Sequence, residues 1–133
     1  MLSPKKSKYR KVHKQRLPNL TVQSLSPDTF GLKALASGRI TARQIEAARR
    51  VIRRELEREG KLVIHIFPDK PVTSKPTEVR MGKGKGSVDF WCALVPEGRV
   101  LFQLSGVPKN AAKAALSLGS FKLPIPTKFT HSF

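Results

Sequence analysis

The chain has 133 residues, which is enough for one domain with a modest core and too few for two. It carries 26 lysines and arginines against 9 acidic residues, for a formal net charge of +17, while 39% of its residues are hydrophobic. The hydrophobic share excludes a disordered basic tail, and the charge opposes compact folding unless a polyanion compensates it. Nucleic acid is therefore the predicted partner.

Cysteine usage and apolar run length exclude two further classes. Cys92 is the only cysteine, so the chain builds neither a disulfide framework nor a thiolate zinc site, and a reducing compartment is expected. The longest apolar run, from Phe90 to Val95, is far shorter than the roughly 20 residues of a membrane-spanning helix. The sequence predicts no membrane partner.

The cations are concentrated at the start of the chain. Residues 1–16 contain seven of them and no acid, whereas residues 17–32 contain no cation at all. We predict a basic N-terminal arm and connector over residues 1–30, followed by one α+β domain over residues 31–133. The alternative is a solvated tail without function. The arm residues expected to bind phosphates are Lys5, Lys6, Lys8, Arg10, Lys11, Lys14 and Arg16.

The clearest helix is predicted from Thr41 to about Glu59. Thr41 and Gln44 match a capping box, and Gly60 is a typical C-terminal stop. Helical periodicity places Ala42, Ile45, Ala48, Ile52 and Leu56 on the buried face. The opposite face carries Arg43, Arg50, Arg54 and Arg58. A salt-bridged surface explains the flank with Glu46 and Glu57 but not the arginine row, which predicts phosphate binding.

The second half of the chain alternates strand signals with turns. Strands are predicted at 62–67, 88–95 and 100–104, with a possible short strand at 77–80 and an irregular proline-rich connection at 68–76. The turn at 96–99 predicts that 88–104 is a hairpin. A helix is predicted at 109–118, ended by Gly119, and an extended edge segment at 121–129. The expected fold is α+β, with two helices packed on a mostly antiparallel or mixed sheet.

The segment RMGKGKGS, residues 80–87, has three glycines, three cations and almost no apolar surface. Its glycine spacing matches neither a P-loop nor a dinucleotide-binding turn, and a strand follows it instead of a helix. We predict a protruding loop whose bare backbone and cations approach nucleic acid closely. A plain flexible hairpin tip is the alternative. The loop residues are Arg80, Met81, Gly82, Lys83, Gly84, Lys85 and Gly86.

The sequence holds no catalytic or cofactor constellation. The three histidines, at 13, 65 and 131, are far apart, and none has metal-ligand spacing to a carboxylate or to Cys92. His65 is expected to be a satisfied sheet residue and Cys92 a small buried hydrophobe. We expect no enzyme, no cofactor, no metal and no small-molecule substrate.

Sequence-reading RNA modules are also missing from the chain, since it has no zinc finger and no RRM signature. Aromatic residues are few and lie mostly in apolar strands. The residues therefore predict recognition of a folded RNA by charge and shape. The same charges suit duplex DNA, and they suit a free-standing RNA chaperone.

Long segments of the chain resemble one known family. They include MLSPKKSKYRKVHK, GRITARQIEAARR, FPDKPVTSKPTEVRMGKGKG and KLPIPTKF. Together they resemble the bacterial-type large-subunit ribosomal protein L-sixteen family, which is related to the eukaryotic and archaeal L-ten proteins. The resemblance covers essentially the whole chain.

The resemblance implies an α/β-hammerhead-like fold and binding to large-subunit rRNA near the central protuberance and the A-site tRNA. Residues 80–86 match the family loop that extends toward the peptidyl-transferase region and the A-site and P-site tRNAs. The arginine matching Arg80 is hydroxylated in some bacterial members. Neighbouring large-subunit proteins are further implied partners. Residues 3–16 match the family's basic arm. Residues 39–58 match its basic helix, so the resemblance adds Arg39, Arg49 and Arg53 to the residues expected to bind rRNA.

One segment departs from the usual bacterial pattern. Residues 17–30, LPNLTVQSLSPDTF, stand where bacterial members are typically longer, richer in glycine and more basic. This difference favours an organelle ribosome in the mitochondrial matrix, with the bacterial cytoplasm or plastid stroma as alternatives.

Overall fold

The computed structural model describes residues 2–20 and 22–132. In that part of the chain, seven strands and two helices confirm the α+β class. They follow in the order β1 (Thr29–Ala34), β2 (Gly38–Thr41), α1 (Ala42–Glu55), β3 (Lys61–Ile64), β4 (Lys70–Ser74), β5 (Ser87–Val95), β6 (Val100–Ser105), α2 (Lys109–Ser120) and β7 (Thr127–Ser132).

The strands form two antiparallel sheets, where the sequence predicted one. The four-stranded sheet has the order β3-β6-β1-β7, and the three-stranded sheet has the order β2-β5-β4. The strands β1 and β2, which the sequence analysis did not predict, supply one strand to each sheet. Both sheets contribute to the core, which also holds the buried faces of α1 and α2.

The predicted hairpin over residues 88–104 is wrong, because β5 and β6 belong to different sheets. The turn between them is bound instead by the end of β1. The Gly98 N–H donates to the Ala34 carbonyl (2.9 Å), and the Ala34 N–H donates to the Arg99 carbonyl (2.9 Å). The chain therefore changes sheets at this turn, and the backbone groups of the turn are satisfied by a strand remote in sequence.

Residues 68–76 are not an irregular connection throughout, because 70–74 form β4. This strand lies at the edge of its sheet and pairs only with β5. Pro71 is tolerated at an edge, where its missing N–H costs no central ladder bond. Residues 77–80 form a turn and not a strand, with the Val79 N–H donating to the Pro76 carbonyl at 3.2 Å. The glycine loop connects β4 to β5 and thus lies at the tip of the hairpin that these two strands form.

Helix α1 begins as predicted and ends early. The capping box is present: Thr41 Oγ1 accepts from the Gln44 N–H, and Gln44 Oε1 accepts from the Thr41 N–H. The predicted face of α1 is buried, and Leu56 is buried at its C-cap. Glu57 and Arg58 have φ of 51° and 68°, in the left-handed region that ends a right-handed helix. Arg58 therefore lies in the turn after α1, not on the helix face as predicted.

Helix α2 extends past the predicted stop at Gly119 to Ser120. Gly119 is fully inside the helix and faces α1, where a Cβ added to it would lie 2.6 Å from Ile52 Cγ1. This glycine is required for the close approach of the two helices and does not end α2. The edge segment predicted at 121–129 is extended only from Thr127, where β7 pairs with β1 at the edge of the larger sheet.

The described part of the connector before β1, residues 17–20 and 22–28, packs against the domain without helix or strand. Gly31 leaves room for Leu25, since a Cβ at residue 31 would lie 2.6 Å from Leu25 Cδ2. Gln23 Oε1 accepts from the Val100 N–H at 3.1 Å, and the Pro18 carbonyl accepts from Ser37 Oγ at 3.2 Å. The segment with no cations is thus used for packing.

Candidate nucleic-acid interface

From residue 2 to residue 16, the basic arm lies along the protein surface without helix or strand. All seven of its predicted phosphate-binding cations are exposed: Lys5, Lys6, Lys8, Arg10, Lys11, Lys14 and Arg16. Two contacts fix its course. Lys11 Nζ donates to the Lys85 carbonyl at 3.0 Å, and Arg39 Nη2 donates to the Gln15 carbonyl at 2.8 Å. The arm is therefore placed beside the glycine loop and β2, which lie far from it in sequence.

Three arginines of α1 have partners within the protein. Glu46 binds Arg49 through both carboxylate oxygens, at 2.6 and 2.9 Å, and its Oε1 also accepts from Arg50 Nε at 3.1 Å. Hydrogen bonding to Arg49 lowers the pKa of Glu46 to about 2. Arg53 donates to the Gly60 carbonyl at 3.2 Å, beyond the end of the helix. Arg49 and Arg53 thus stabilise the helix and its C-terminal turn.

The arginines of the predicted outer row are exposed, Arg50 included. Arg43, Arg50 and Arg54 are exposed along α1, and the side chain of Arg50 keeps 71% of its accessible surface despite its bond to Glu46. Arg58 is exposed in the turn that follows. The described residues form two ion pairs, and Glu46 is the acidic partner in both. Acidic side chains in the described part of the protein therefore neutralise little of the positive charge of this arginine row.

The glycine loop is held in an unusual backbone conformation. Gly82, Lys83 and Gly84 all have positive φ, of 90°, 61° and 88°, and open space surrounds both glycines. Lys75 Nζ donates to the Gly82 carbonyl across the loop. Arg80, Lys83 and Lys85 are exposed, and Met81 is 100% exposed. The loop thus presents cations and bare backbone to the outside.

Gly86 differs from the other loop glycines because it closes the loop on β4. A Cβ at this position would lie 2.5 Å from the Ser74 carbonyl oxygen, which is backbone and cannot move aside cheaply. Gly86 is therefore a packing residue at the base of the loop.

The arm, the first turn of α1 and the loop border one continuous surface. A depression of about 390 Å³ lies among Leu2, Ser3, Arg43 and Asp89, and a larger groove of about 540 Å³ lies among Lys14, Arg39, Lys70 and Lys85. Thr41 and Phe90 line both, so the two depressions are neighbours. Apart from Asp89, the residues lining them include no acid. A polyanion lying across this surface meets cations from all three elements.

The residues considered for catalysis have structural partners. His65 Nε2 lies 2.6 Å from Gln103 Oε1, and its carbonyl accepts from Arg99 Nη2 at 3.0 Å, which confirms a satisfied sheet-edge histidine. Cys92 is 2% exposed, and burial raises the pKa of its thiol, so it is a buried hydrophobe as predicted. Within residues 2–20 and 22–132, no group of three potential metal ligands lies together, and no helix is long and apolar enough to cross a membrane.

The comparisons agree with the resemblance seen in the sequence. The family model for ribosomal protein L16p/L10e matches residues 4–130. The chain belongs to this family. It is also 57% identical over 133 residues to the large ribosomal subunit protein uL16 of Gluconobacter oxydans (strain 621H), with 98% of this chain and 96% of that relative covered.

Membership of the L16p/L10e family makes the chain a ribosomal protein, with a structural role and not an enzymatic one. The prediction of a non-enzyme is confirmed on that ground.

Sequence reasoning missed three residues of this surface. Lys70 lies on this surface because residues 70–74 form β4. Phe90 lies on it because one face of β5 is turned toward the arm. Lys75 belongs to it because its side chain spans the glycine loop. Only Phe90 had a signal in the sequence, as an apolar residue at the start of a predicted strand beside the charged loop. The two lysines depend on strand pairing, which local patterns do not specify.

Proposed function

We propose that this chain is a structural constituent of the large ribosomal subunit that binds large-subunit rRNA through its arm, the outer face of α1 and the turn at Arg58. In the same proposal, residues 80–86 reach toward the peptidyl-transferase region and contact A-site and P-site tRNA. Neighbouring large-subunit proteins complete the set of partners. The family match and the name of the uL16 relative support the subunit assignment.

One observation carries the RNA-binding part of the proposal. The protein has 26 basic side chains, yet the ion pairs within its described part are formed by a single acid, Glu46. Fixed cations left without internal partners on adjoining elements raise the free energy of the isolated fold, and a phosphate backbone supplies the compensating charge. The planar guanidinium groups of α1 suit bidentate phosphate contacts.

The position of the glycine loop supports the tRNA part. It is exposed, it carries three cations, and its left-handed backbone at Gly82 and Gly84 has no neighbours within 4 Å of an added Cβ. A tip of this kind approaches a nucleic-acid backbone more closely than a loop with bulky side chains.

Sedimentation tests the assignment against a free-standing RNA chaperone. A cell extract is separated on a density gradient with and without a high-salt wash, and the native protein is detected across the fractions. We expect it to co-migrate with the large subunit in both conditions. Recovery as free protein at the top of the gradient, already without the wash, would contradict the assignment and favour the chaperone.

We propose that the protein works in the mitochondrial matrix, because residues 17–30 differ from the usual bacterial pattern. The uL16 relative is bacterial, and a bacterial cytoplasm or a plastid stroma is the alternative. The packing of Leu25 beneath Gly31 supports a connector used for folding more than for charge. Gradient analysis of purified organelles and of the remaining cell fraction distinguishes the compartments.

A further inference from the structure

We propose that the groove beneath the arm is a binding site for one unpaired nucleotide of RNA, with the base on its floor and a phosphate at its rim. Its lining includes Val72, Phe90 and Leu94 on the floor and Lys14, Arg39 and Lys85 at the rim. This inference rests on the proposed function and deepens it, because it states which part of the RNA the groove binds.

The floor of the groove is one face of the three-stranded sheet. Val72 of β4 pairs with Phe90 of β5, and Leu94 of β5 pairs with Arg39 of β2. Positions 90, 92 and 94 alternate along β5, so they share a face. The opposite face carries Ala93 and Val95, which are buried in the core. Val72, Phe90 and Leu94 therefore form an apolar patch that is not part of the core cluster.

Phe90 is the part of this patch that is suited to a base. It is a large hydrophobe with 37% of its surface exposed, at the end of the groove nearest the glycine loop. An exposed aromatic ring offers a face on which any base stacks, and single unpaired bases of RNA are bound in this way.

The rim supplies the charge that a nucleotide requires. Lys14, Arg39, Lys70 and Lys85 surround the floor, and no acidic residue lines the groove. Asp89 lines the neighbouring depression, not the groove. Arg39 uses only Nη2 to hold the Gln15 carbonyl, so its other N–H groups remain for a phosphate.

Size and enclosure limit the occupant to something small. The groove has a volume of about 540 Å³, in the range of sites for single small ligands. Residues 12–15 of the arm close one side of the groove, and the Lys11 to Lys85 and Arg39 to Gln15 contacts hold this segment at either end. A duplex does not enter such a space, whereas one extruded nucleotide does.

The test measures binding of the full chain to large-subunit rRNA, transcribed in vitro, over a series of salt concentrations. Three variants are compared with the wild type. Phe90→Leu keeps an apolar side chain but removes the ring, and Phe90→Tyr keeps the ring. Phe121→Leu is the matched control, since Phe121 is 78% exposed at the end of α2, outside the groove. Thermal melting verifies that each variant is folded.

We expect Phe90→Leu to weaken binding at least about fivefold, while Phe90→Tyr and Phe121→Leu bind as the wild type does. The salt slope of Phe90→Leu should stay unchanged, because stacking releases no counterions. Equal affinity of all forms, or an equal loss in Phe90→Leu and Phe121→Leu, would overturn the nucleotide site while leaving rRNA binding intact. Failure of the wild type itself to bind rRNA would overturn the proposed function as well.

Discussion

At the scale of single residues, two positions have roles that neither their type nor their neighbours in sequence indicate. Gly119 looks like a helix stop and is instead the contact point of α1 and α2, against the fully buried Ile52. Glu46 binds Arg49 with both carboxylate oxygens and binds Arg50 as well, so one acid holds two arginines of α1. Each role depends on geometry in three dimensions, and each can be tested by one substitution.

Gly119→Ala should destabilise the fold by about 1 kcal/mol. The added Cβ overlaps Ile52 in a filled core, which costs about 1–3 kcal/mol, and the better helix propensity of alanine offsets up to about 1 kcal/mol of that. Urea unfolding measures the difference, with Ser117→Ala on the exposed face of α2 as the control. A rise in stability for Gly119→Ala would show that α1 and α2 do not pack closely at this point.

Glu46→Gln should lower stability by up to about 1 kcal/mol at neutral pH, because it removes a partly exposed ion pair. The pKa of Glu46 falls from an ordinary 4.5 to about 2 in the folded protein. A carboxylate with a depressed pKa stabilises the fold above its unfolded pKa and loses that contribution as pH falls toward its folded pKa. The gap between wild type and variant should therefore be constant above about pH 5.5 and close between pH 4.5 and 2.

Unfolding curves at a series of pH values measure this gap. A gap that persists unchanged at the acid end would mean that Glu46 acts through something other than its charge.

At the scale of elements, local patterns predict helices well and strand pairing poorly. The capping box at Thr41 and Gln44 and the buried stripe of α1 are local signals, and the structure confirms both. The early end of α1 follows from left-handed φ at Glu57 and Arg58, which no residue type there indicates. The turn after Val95 has the composition of a hairpin, but its backbone groups bind Ala34, about 60 residues earlier in the chain. Such a partner follows from tertiary packing alone.

The candidate site divides in the same way. Exposure of Arg43, Arg50 and Arg54 could be predicted from helical periodicity. The groove could not, because it requires β4, β5 and the arm to come together.

Replacing Arg43, Arg50 and Arg54 with alanine should flatten the salt dependence of rRNA binding by roughly two to three units, about one for each lost phosphate contact. All three are exposed, so the stability of the domain should change little. The matched control replaces Lys61, Lys113 and Lys122, three exposed cations outside the arm, the row and the loop. Equal slopes for the two triple variants would remove α1 from the interface.

Replacing Lys83 and Lys85 with alanine should leave stability within about 0.5 kcal/mol, since both side chains are exposed and the bond from Lys11 uses the backbone carbonyl of residue 85. The same change should impair tRNA accommodation or subunit assembly in ribosomes that carry it. Met81→Ala, in the same loop and without a change of charge, is the control. Normal translation by the double variant would contradict a role of the loop in tRNA contact.

At the scale of the whole molecule, charge and fold are connected. A net charge of +17 on 133 residues is concentrated on the arm, one side of α1 and the glycine loop, while the connector and the core carry almost none. The arm crosses from the first turn of α1 to the loop, and so it joins these cations into one surface. The fold thereby separates a core and a connector with almost no charge from a cationic surface that requires an anionic partner.

The most direct test of this account is the salt dependence of the affinity of the unmodified protein for large-subunit rRNA. If RNA phosphates neutralise the cationic surface, the logarithm of the binding constant should fall linearly with the logarithm of the salt concentration, with a slope steeper than about −4. A binding constant that does not change with salt would contradict the account, because it would show that the cations of the arm, α1 and the loop are not what holds the RNA.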